Sequence, residues 1–165
     1  MKCLVFSDSH GSIFNMRRAI MANRDAEVAF FLGDGLSDAE ALSLEFPDLA
    51  WIAVRGNCDY TAIFRGSEVL KKESISLCTK RIVLTHGDLY DAKYSLDRLK
   101  YLALSENADI LLFGHTHSPY EEYVNAQERS FYLFNPGSVS LSGASFGVMS
   151  FADNGDVLLS HGRLL

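Results

Sequence analysis

The sequence predicts an α/β fold built on one mixed sheet or on two packed sheets. In the first two thirds of the 165 residues, short apolar runs of strand length alternate with stretches whose apolar residues recur at helical spacing. The last third contains short runs of β-forming residues separated by turn residues, a pattern typical of antiparallel strands. Strands that alternate with helices and are followed by a run of strands predict a sheet that is parallel first and antiparallel later.

Three buried strands and two helices account for the first part of this pattern. Ser12 is expected to cap a helix that extends to about Arg24, because its apolar residues share one face. The segment Ser37-Asp38-Ala39-Glu40 fits a capping box and predicts a second helix, which ends before Pro47. The three strands are predicted at 2–7, 28–32 and 51–54.

The second part contains a third helix and the remaining strands. An amphipathic helix is predicted at 95–106, and Asn107 is expected to close it. Thr79-Lys80 is expected to form a tight connection between two strands. Strands are predicted at 69–72, 75–78, 81–85, 110–113, 120–124, 129–134, 146–151 and 157–160.

Composition narrows the class of protein. A length of 165 residues is typical of one domain, so a single domain over 1–165 is expected. The net charge of −6 argues against an extended nucleic-acid interface, since such interfaces are usually basic. No apolar run is long enough to span a membrane. Residues 1–6 are followed at once by Ser7-Asp8, which indicates a strand and no export signal. Three widely spaced cysteines are typical of a reducing cytoplasm.

Polar side chains of a few types follow five of the predicted strands. The intervals along Asp8, Asp34, Asn57, His86 and His115 are 26, 23, 29 and 29 residues, close to the length of one strand–connection–strand unit. Because the carboxyl ends of parallel strands meet along one edge of a sheet, these side chains are expected to converge there. The complete set is Asp8, His10, Asp34, Asn57, His86, His115 and His117.

The chemistry of this set predicts a metal centre. Two carboxylates, four imidazoles and one amide suit Mn²⁺, Fe²⁺, Zn²⁺ or Ni²⁺, and suit Ca²⁺ poorly. Seven ligands exceed what one catalytic ion uses, but they suit two ions that share a carboxylate. The alternative for His115 and His117 taken by themselves is a polar loop that faces water. His161 lies outside this pattern, and the sequence assigns it no function.

The order and spacing of these motifs resemble a known family. The chain contains five motif blocks in order, Asp8-x-His10, Gly33-Asp34, Gly56-Asn57-x-Asp59, His86-Gly87-Asp88 and Gly114-His115-x-His117. These blocks resemble the five signature blocks of the calcineurin-like metallophosphoesterase superfamily. The Gly-Asn-Cys-Asp segment at 56–59 and Asn135-Pro136-Gly137-Ser138 are most similar to the small single-domain prokaryotic phosphodiesterases of that superfamily. The resemblance implies two packed mixed β-sheets flanked by helices, a four-layer αββα fold.

The resemblance also implies roles for individual residues. Asp59 and Asp88 would orient ligating groups. Two divalent ions are expected, Mn²⁺ first, with Ni²⁺, Fe²⁺ or Zn²⁺ as alternatives. The first ion would be held by Asp8, His10, Asp34 and His117. The second would share Asp34 and be completed by Asn57, His86 and His115, and the catalytic residues would be Asp34, Asn57, His86 and His115.

The implied reaction is hydrolysis of a small phosphate ester, with a metal-bound hydroxide attacking phosphorus. One departure from the family pattern concerns Cys58, since phosphatase-like members carry histidine there. A neutral thiol is a weak donor and a poor acid near neutral pH, which favours diesters with good leaving groups. The walls of the pocket are expected to come from residues 36–38, 59–66 and 89–94.

Other functions remain open at this stage. The charge of the centre does not distinguish a phosphodiesterase from a phosphomonoesterase or nucleotide phosphatase. A scaffold like the retromer subunit of this fold is a further alternative, but that subunit lacks a full set of metal ligands. A nucleotide-binding sheet without metal would need a Gly-x-Gly-x-x-Gly loop, which the chain lacks. The sequence leaves homo-oligomerisation open.

Overall fold

Two five-stranded sheets pack face to face in the computed structural model, which describes residues 1–127, 129–140 and 143–164. The helices are α1 (Ile13–Ala22), α2 (Leu36–Glu45) and α3 (Asp97–Ser105), with a single 3₁₀ turn at Asp88–Tyr90. The strands are β1 (Lys2–Phe6), β2 (Val28–Phe31), β3 (Ala50–Ala53), β4 (Ile63–Phe64), β5 (Ser67–Glu68), β6 (Lys72–Leu77), β7 (Lys80–Thr85), β8 (Ile110–Leu112), β9 (Pro119–Asn125), β10 (Ser130–Pro136), β11 (Ser145–Phe151) and β12 (Val157–Arg163).

Both sheets are mixed, as the sequence predicts. The first has the order β12-β11-β1-β2-β3, and the second has the order β6-β7-β8-β10-β9. Strands β1, β2 and β3 are parallel to one another, and so are β7, β8 and β10. The other pairings are antiparallel, including the short hairpin of β4 and β5. The carboxyl ends of six parallel strands are thus available to build a site.

Three apolar clusters show how the layers pack. Side chains alternate between the two faces of a strand, so Val5 of β1 lies between the sheets while Phe6 packs under α1 and α2. Leu112 of β8 also lies between the sheets, and Leu111 packs against α3. The strands are apolar on both faces because both faces are covered. The four layers confirm the αββα arrangement and the α/β fold class.

Residues 63–79 differ most from the prediction. The strand expected at 69–72 is absent, because Val69 is buried against α2 and its backbone N–H donates to the Ala62 carbonyl oxygen. Strand β6 begins at Lys72 instead, and the tight connection falls on Cys78-Thr79. Both of these residues have positive φ, 47° and 67°, which matches the backbone of a two-residue hairpin turn. Neither is glycine or asparagine, so the usual sequence signal for this turn is missing.

The end of α3 agrees with the prediction for Asn107. This residue has φ 53°, and its N–H donates to the carbonyl oxygen of Leu104, while the N–H of Ala108 donates to that of Ala103. This pair of bonds is the Schellman arrangement that ends many helices. In the described part of the chain, no helix is long and apolar enough to cross a membrane.

Candidate metal centre

The structure brings all seven predicted side chains together at the carboxyl edge of the parallel strands. The residues follow β1, β2, β3, β7 and β8, so both sheets contribute. Side-chain contacts of 3.9 Å or less connect every one of them to at least one other member of the set. The set is Asp8, His10, Asp34, Asn57, His86, His115 and His117.

The first half of the centre is formed by Asp8, His10 and His117. The Nε2 atoms of the two imidazoles lie 3.3 Å apart, and His117 Nε2 lies 3.2 Å from Asp8 Oδ1. The three ligating atoms all lie within 4.8 Å of one another, which suits a single ion. The side chains of His10 and His117 are 34% and 36% exposed, so this half opens to solvent.

The second half surrounds the buried imidazole of His86. Its Nε2 lies 3.2 Å from Asn57 Oδ1, 3.2 Å from His115 Nδ1 and 3.4 Å from Asp34 Oδ2. Asp34 Oδ2 also lies 4.0 Å from His10 Nε2 in the first half. One carboxylate oxygen therefore faces both halves, which is the position that a bridging ligand needs.

Two features show that these residues fit divalent metal ions. Asp8 Oδ1 is buried and, within the part of the chain that the structure describes, has no hydrogen-bond partner, although it lies among imidazoles. An orphaned buried carboxylate oxygen is costly unless a cation compensates it. In addition, His86 Nδ1 lies 2.7 Å from the carbonyl oxygen of Leu32, which assigns the ring proton to Nδ1 and leaves Nε2 free to ligate.

The electrostatics of the centre favour ionised carboxylates. Burial by itself would raise the pKa of Asp34. Its hydrogen bond to His86, the charge of that ring and the amide of Cys58 outweigh burial and hold the pKa of Asp34 well below its usual range. Burial would lower the pKa of His86, but Asp34 and Asp8 raise it overall. Fixed negative charge inside the protein attracts cations.

Cys58 is exposed beside this centre and carries a neutral thiol. Burial of its sulfur, followed by the hydrogen bond to Asp34 and the negative charge of that residue, raises the pKa of Cys58. The side-chain amide of Asn57 donates to its Sγ at 3.2 Å. A thiol with a raised pKa is a weak nucleophile and a weak acid at neutral pH.

The backbone at most of the proposed ligands has positive φ angles. Positive φ is uncommon outside glycine and clusters at functional sites. A Cβ at Gly56 would lie 2.1 Å from Asp34 Oδ1, so only glycine allows this close approach. Five of the seven residues have left-handed backbone angles, namely Asp8 (φ 54°), His10 (44°), Asp34 (61°), His115 (67°) and His117 (60°).

Asp59 holds part of this backbone in place. Its Oδ1 accepts the N–H groups of Gly35 and Leu36, and its Oδ2 accepts those of Asp34 and Gly56, all at 2.8–2.9 Å. One carboxylate thereby fixes the loops after β2 and β3 together. The expected role of Asp59 in orienting ligating groups agrees with these contacts.

One sequence prediction is corrected here. The capping box at 37–40 is wrong, because α2 begins at Leu36 and its first amides are received by Asp59. Asp38 instead accepts hydrogen bonds from the Ser9 hydroxyl and the Gly11 N–H. Asp88 Oδ2 forms an ion pair with Lys71 at 2.6 Å, and the expected role of Asp88 in orienting a ligand stays a prediction.

Three residues that support the ligands carried no role in the sequence analysis. Ser7 Oγ donates to Asp8 Oδ2 at 2.6 Å, and Ser138 Oγ donates to the Asp8 carbonyl oxygen at 2.8 Å. Asn135 Nδ2 donates to the Gly114 carbonyl oxygen at 2.8 Å and so holds the loop that carries His115. The sequence signal that could have identified a supporting role was the Asn135-Pro136-Gly137-Ser138 block at the end of β10. In the structure this block joins the loops after β1 and β8.

His161 supports the same block from the neighbouring sheet. Its Nε2 lies 2.7 Å from the Asn135 carbonyl oxygen, and its ring stacks on Phe134 with centroids 4.5 Å apart. These contacts account for His161 as a packing and hydrogen-bonding residue.

We expect Ser138→Ala to weaken metal binding about tenfold, since residues that orient ligands contribute about 10–100-fold. The free energy of unfolding should fall by about 1–2 kcal/mol, because the buried Asp8 carbonyl loses its donor. Calorimetric titration of metal-free protein with Mn²⁺ and urea unfolding measure the two effects.

Ser145→Ala is the matched control for this prediction. Ser145 is also buried in the same region, and its Oγ donates to the Pro136 carbonyl oxygen at 2.7 Å and not to a proposed ligand. Its loss should lower stability by a similar amount and leave Mn²⁺ affinity unchanged. Equal loss of Mn²⁺ affinity in both variants would contradict a specific role for Ser138.

Comparison with known families identifies the chain. The model described as the calcineurin-like phosphoesterase superfamily domain matches residues 1–154. The chain belongs to this superfamily. Members of the superfamily generally use divalent metals, and the centre described above is a candidate metal-binding site of the corresponding composition.

Curated relatives of this calcineurin-like phosphoesterase are small prokaryotic proteins. The probable metallophosphoesterase YsnB of Bacillus subtilis is 32% identical over 142 residues, which cover 86% of this chain and 76% of the relative. The phosphodiesterase YfcE of Escherichia coli K12 is 31% identical over 171 aligned positions, which cover 90% of this chain and 87% of the relative. The chain is therefore a metallophosphoesterase, a hydrolase of phosphoric esters.

Solved structures support the same fold. A structure described as a novel archaeal phosphodiesterase aligns with a TM-score of 0.75 at 24% identity and covers 99% of this chain and 100% of its own. Vacuolar protein sorting 29 of Cryptosporidium parvum aligns with a TM-score of 0.75 at 17% identity, covering 99% and 97%. Both structural similarities show that the chain shares this fold.

Proposed function

We propose that this metallophosphoesterase is a phosphodiesterase that hydrolyses small phosphate esters with two divalent ions. The observation that carries the proposal is the single oxygen Asp34 Oδ2, which faces imidazoles of both halves of the centre. Since both sheets supply ligands, we further propose that residues 1–165 act as one catalytic domain.

The ions are assigned by the contacts of each half. Mn²⁺ is our first choice, and Ni²⁺, Fe²⁺ or Zn²⁺ suit the same mixture of oxygen and nitrogen donors. The first ion would be held by Asp8, His10, His117 and Asp34. The second would be held by Asp34, Asn57, His86 and His115, which we propose as the catalytic residues.

Divalent ions held by these residues would supply an activated water and would stabilise negative charge on the phosphoryl oxygens. The chain's own residues hold that chemistry in place. Asp34 offsets the repulsion between two cations, and His86, fixed by the Leu32 carbonyl oxygen, keeps Nε2 directed into the centre. The exposed imidazoles of His10 and His117 mark the side from which a phosphate ester can approach.

The neutral thiol of Cys58 supports a diester rather than a monoester with a poor leaving group. A weak donor gives little protonation of a departing alkoxide, whereas an aryl oxide leaves without it. We also propose a cytoplasmic location, which is supported by three free cysteines, Cys3, Cys58 and Cys78.

We expect the reconstituted enzyme to hydrolyse an aryl phosphodiester with a kcat/KM at least about tenfold higher than that for an alkyl phosphomonoester. The reason is that neither Cys58 nor the metal ligands supply a good general acid. Steady-state assays at matched pH, after chelation and re-addition of each ion, measure the ratio. A preference for the alkyl monoester would favour a phosphomonoesterase and would show that another group supplies the acid.

A scaffold role is the second candidate, because vacuolar protein sorting 29 shares the fold. The complete set of seven ligating side chains favours the enzyme over the scaffold. Metal content and turnover separate the two: stoichiometric metal with turnover supports the enzyme, and the absence of both supports the scaffold.

A further inference from the structure

A cavity of about 340 Å³ lies beside the loop that carries His115 and His117. Thr116, which stands between those two histidines, forms part of its wall, and Lys93 also lines it. Ala92, the residue before Lys93, lies close to Gly87, which follows the proposed ligand His86. A Cβ built at Gly87 would lie 3.1 Å from Ala92 Cβ and 3.8 Å from His115 Cβ. The cavity is therefore next to the metal centre and shares a loop with it.

Lys93 is an uncompensated cation at this position. Within the described residues it has no ion-pair or hydrogen-bond partner, and it is exposed. Lys71, which pairs with Asp88 after the ligand His86, is by contrast neutralised at 2.6 Å. In a chain of net charge −6, a free ammonium beside an active centre favours a negatively charged ligand.

The remaining wall of the cavity is largely apolar. Phe113 and Tyr120 meet edge to face with ring centroids 6.3 Å apart, and Leu96 lies beside them. The Tyr120 hydroxyl donates to Glu122 at 2.7 Å, and this bond raises the pKa of Tyr120 to about 12. The phenol stays neutral, and its hydroxyl already has a hydrogen-bond partner, so this wall favours an apolar or aromatic group.

We propose that this cavity binds one ester arm of the phosphodiester substrate, an apolar or aromatic group that carries a second negative charge. Lys93 pairs with that charge, and the Phe113–Tyr120 wall packs against the ring. This inference rests on the proposed phosphodiesterase function and adds the class of substrate to it. Lys93 is a specificity residue, since it lies outside the set of metal ligands.

Two chromogenic diesters test the proposal. Thymidine 5′-(4-nitrophenyl phosphate) and its 3′-phosphorylated derivative release the same leaving group and differ only in the second anion. We expect the Mn²⁺-loaded protein to have a kcat/KM about twofold to fivefold higher for the 3′-phosphorylated compound, mainly through a lower KM, as an ion pair at an exposed lysine permits. Lys93→Gln should remove this preference, and Lys93→Glu should reverse it. Hydrolysis of thymidine 5′-(4-nitrophenyl phosphate) should change less in Lys93→Gln than hydrolysis of its 3′-phosphorylated derivative.

Lys80→Gln is the matched control. Lys80 also lines a cavity and lacks a partner within the described residues, but it begins β7, roughly 20 Å of strand away from His86. Its substitution should leave both substrates unchanged, and added salt should reduce the preference in the unmodified protein. If both compounds are hydrolysed without preference, or if Lys93→Gln alters both equally, the subsite is wrong and the phosphodiesterase stands. If neither is hydrolysed with any ion, both proposals fail.

Discussion

Asp34→Asn is expected to lower kcat/KM for an aryl phosphodiester by roughly a thousandfold or more. The Asp34 carboxylate faces His86 at 3.4 Å and His10 at 4.0 Å, so we propose it as the group that holds two cations at once. An amide brings no charge and does not offset their repulsion. Loss of the two metal ions would remove both the source of the nucleophile and the stabilisation of negative charge on the phosphoryl oxygens. Each of these effects is worth several kcal/mol, and each 1.36 kcal/mol changes the rate tenfold.

Cys58→Ala is the control for this substitution, because Cys58 lies beside Asp34 and provides only a weak donor. We expect a loss of about tenfold or less. Metal content should be measured in both variants, since excess Mn²⁺ can refill a weakened site. If Cys58→Ala abolished turnover with two ions still bound, the thiol would take part in the chemistry and the proposed mechanism would be wrong.

Asp59→Ala is expected to lower the free energy of unfolding by about 3 kcal/mol. This carboxylate accepts four backbone N–H groups, and each buried donor left without a partner costs about 1–3 kcal/mol, less where water can enter. Metal affinity should fall as well, because the amides of Asp34 and Gly56 lose their anchor. Urea unfolding of the metal-free protein separates the loss of stability from the loss of metal.

Two further variants test this prediction: Asp59→Asn as an intermediate change and Asp153→Ala as a control. An asparagine keeps one acceptor oxygen, so its effect should be intermediate. Asp153 is exposed in the turn between β11 and β12, and its substitution should change stability by less than about 0.5 kcal/mol. A loss below 1 kcal/mol for Asp59→Ala would show that water replaces the carboxylate at these amides.

The sequence by itself determined the chemistry available at the strand ends. Runs such as 110–113 are apolar on both faces, which indicates strands covered on both sides, and parallel strands bring their carboxyl ends to one edge. The ligating residue types and their intervals therefore predicted which side chains meet, and the structure brings all seven together. Local patterns also predicted the end of α3, where Asn107 needs only its own backbone conformation.

The sequence predictions that were wrong concern segments whose structure depends on contacts with residues far away in the chain. The capping box at 37–40 failed because Asp59, more than twenty residues away, competes for the first amides of α2. The strand expected at 69–72 failed because this segment bonds elsewhere: the Val69 N–H donates to the Ala62 carbonyl oxygen, and the Leu70 carbonyl oxygen accepts the Arg55 N–H. In each case a contact between distant parts of the chain outweighs a local preference.

Only the tertiary structure decided how the site is held and what surrounds it. Spacing along the chain does not reveal that Asp34 Oδ2 faces both halves, that Asp59 joins the loops after β2 and β3, or that Ser138 reaches back 130 residues to Asp8. The same holds for Lys93, whose cavity forms where two loops of one sheet meet. Residue types and intervals specify the groups that gather at a sheet edge. Their orientation depends on hydrogen bonds and packing between segments far apart in sequence, and those exist only in the folded chain.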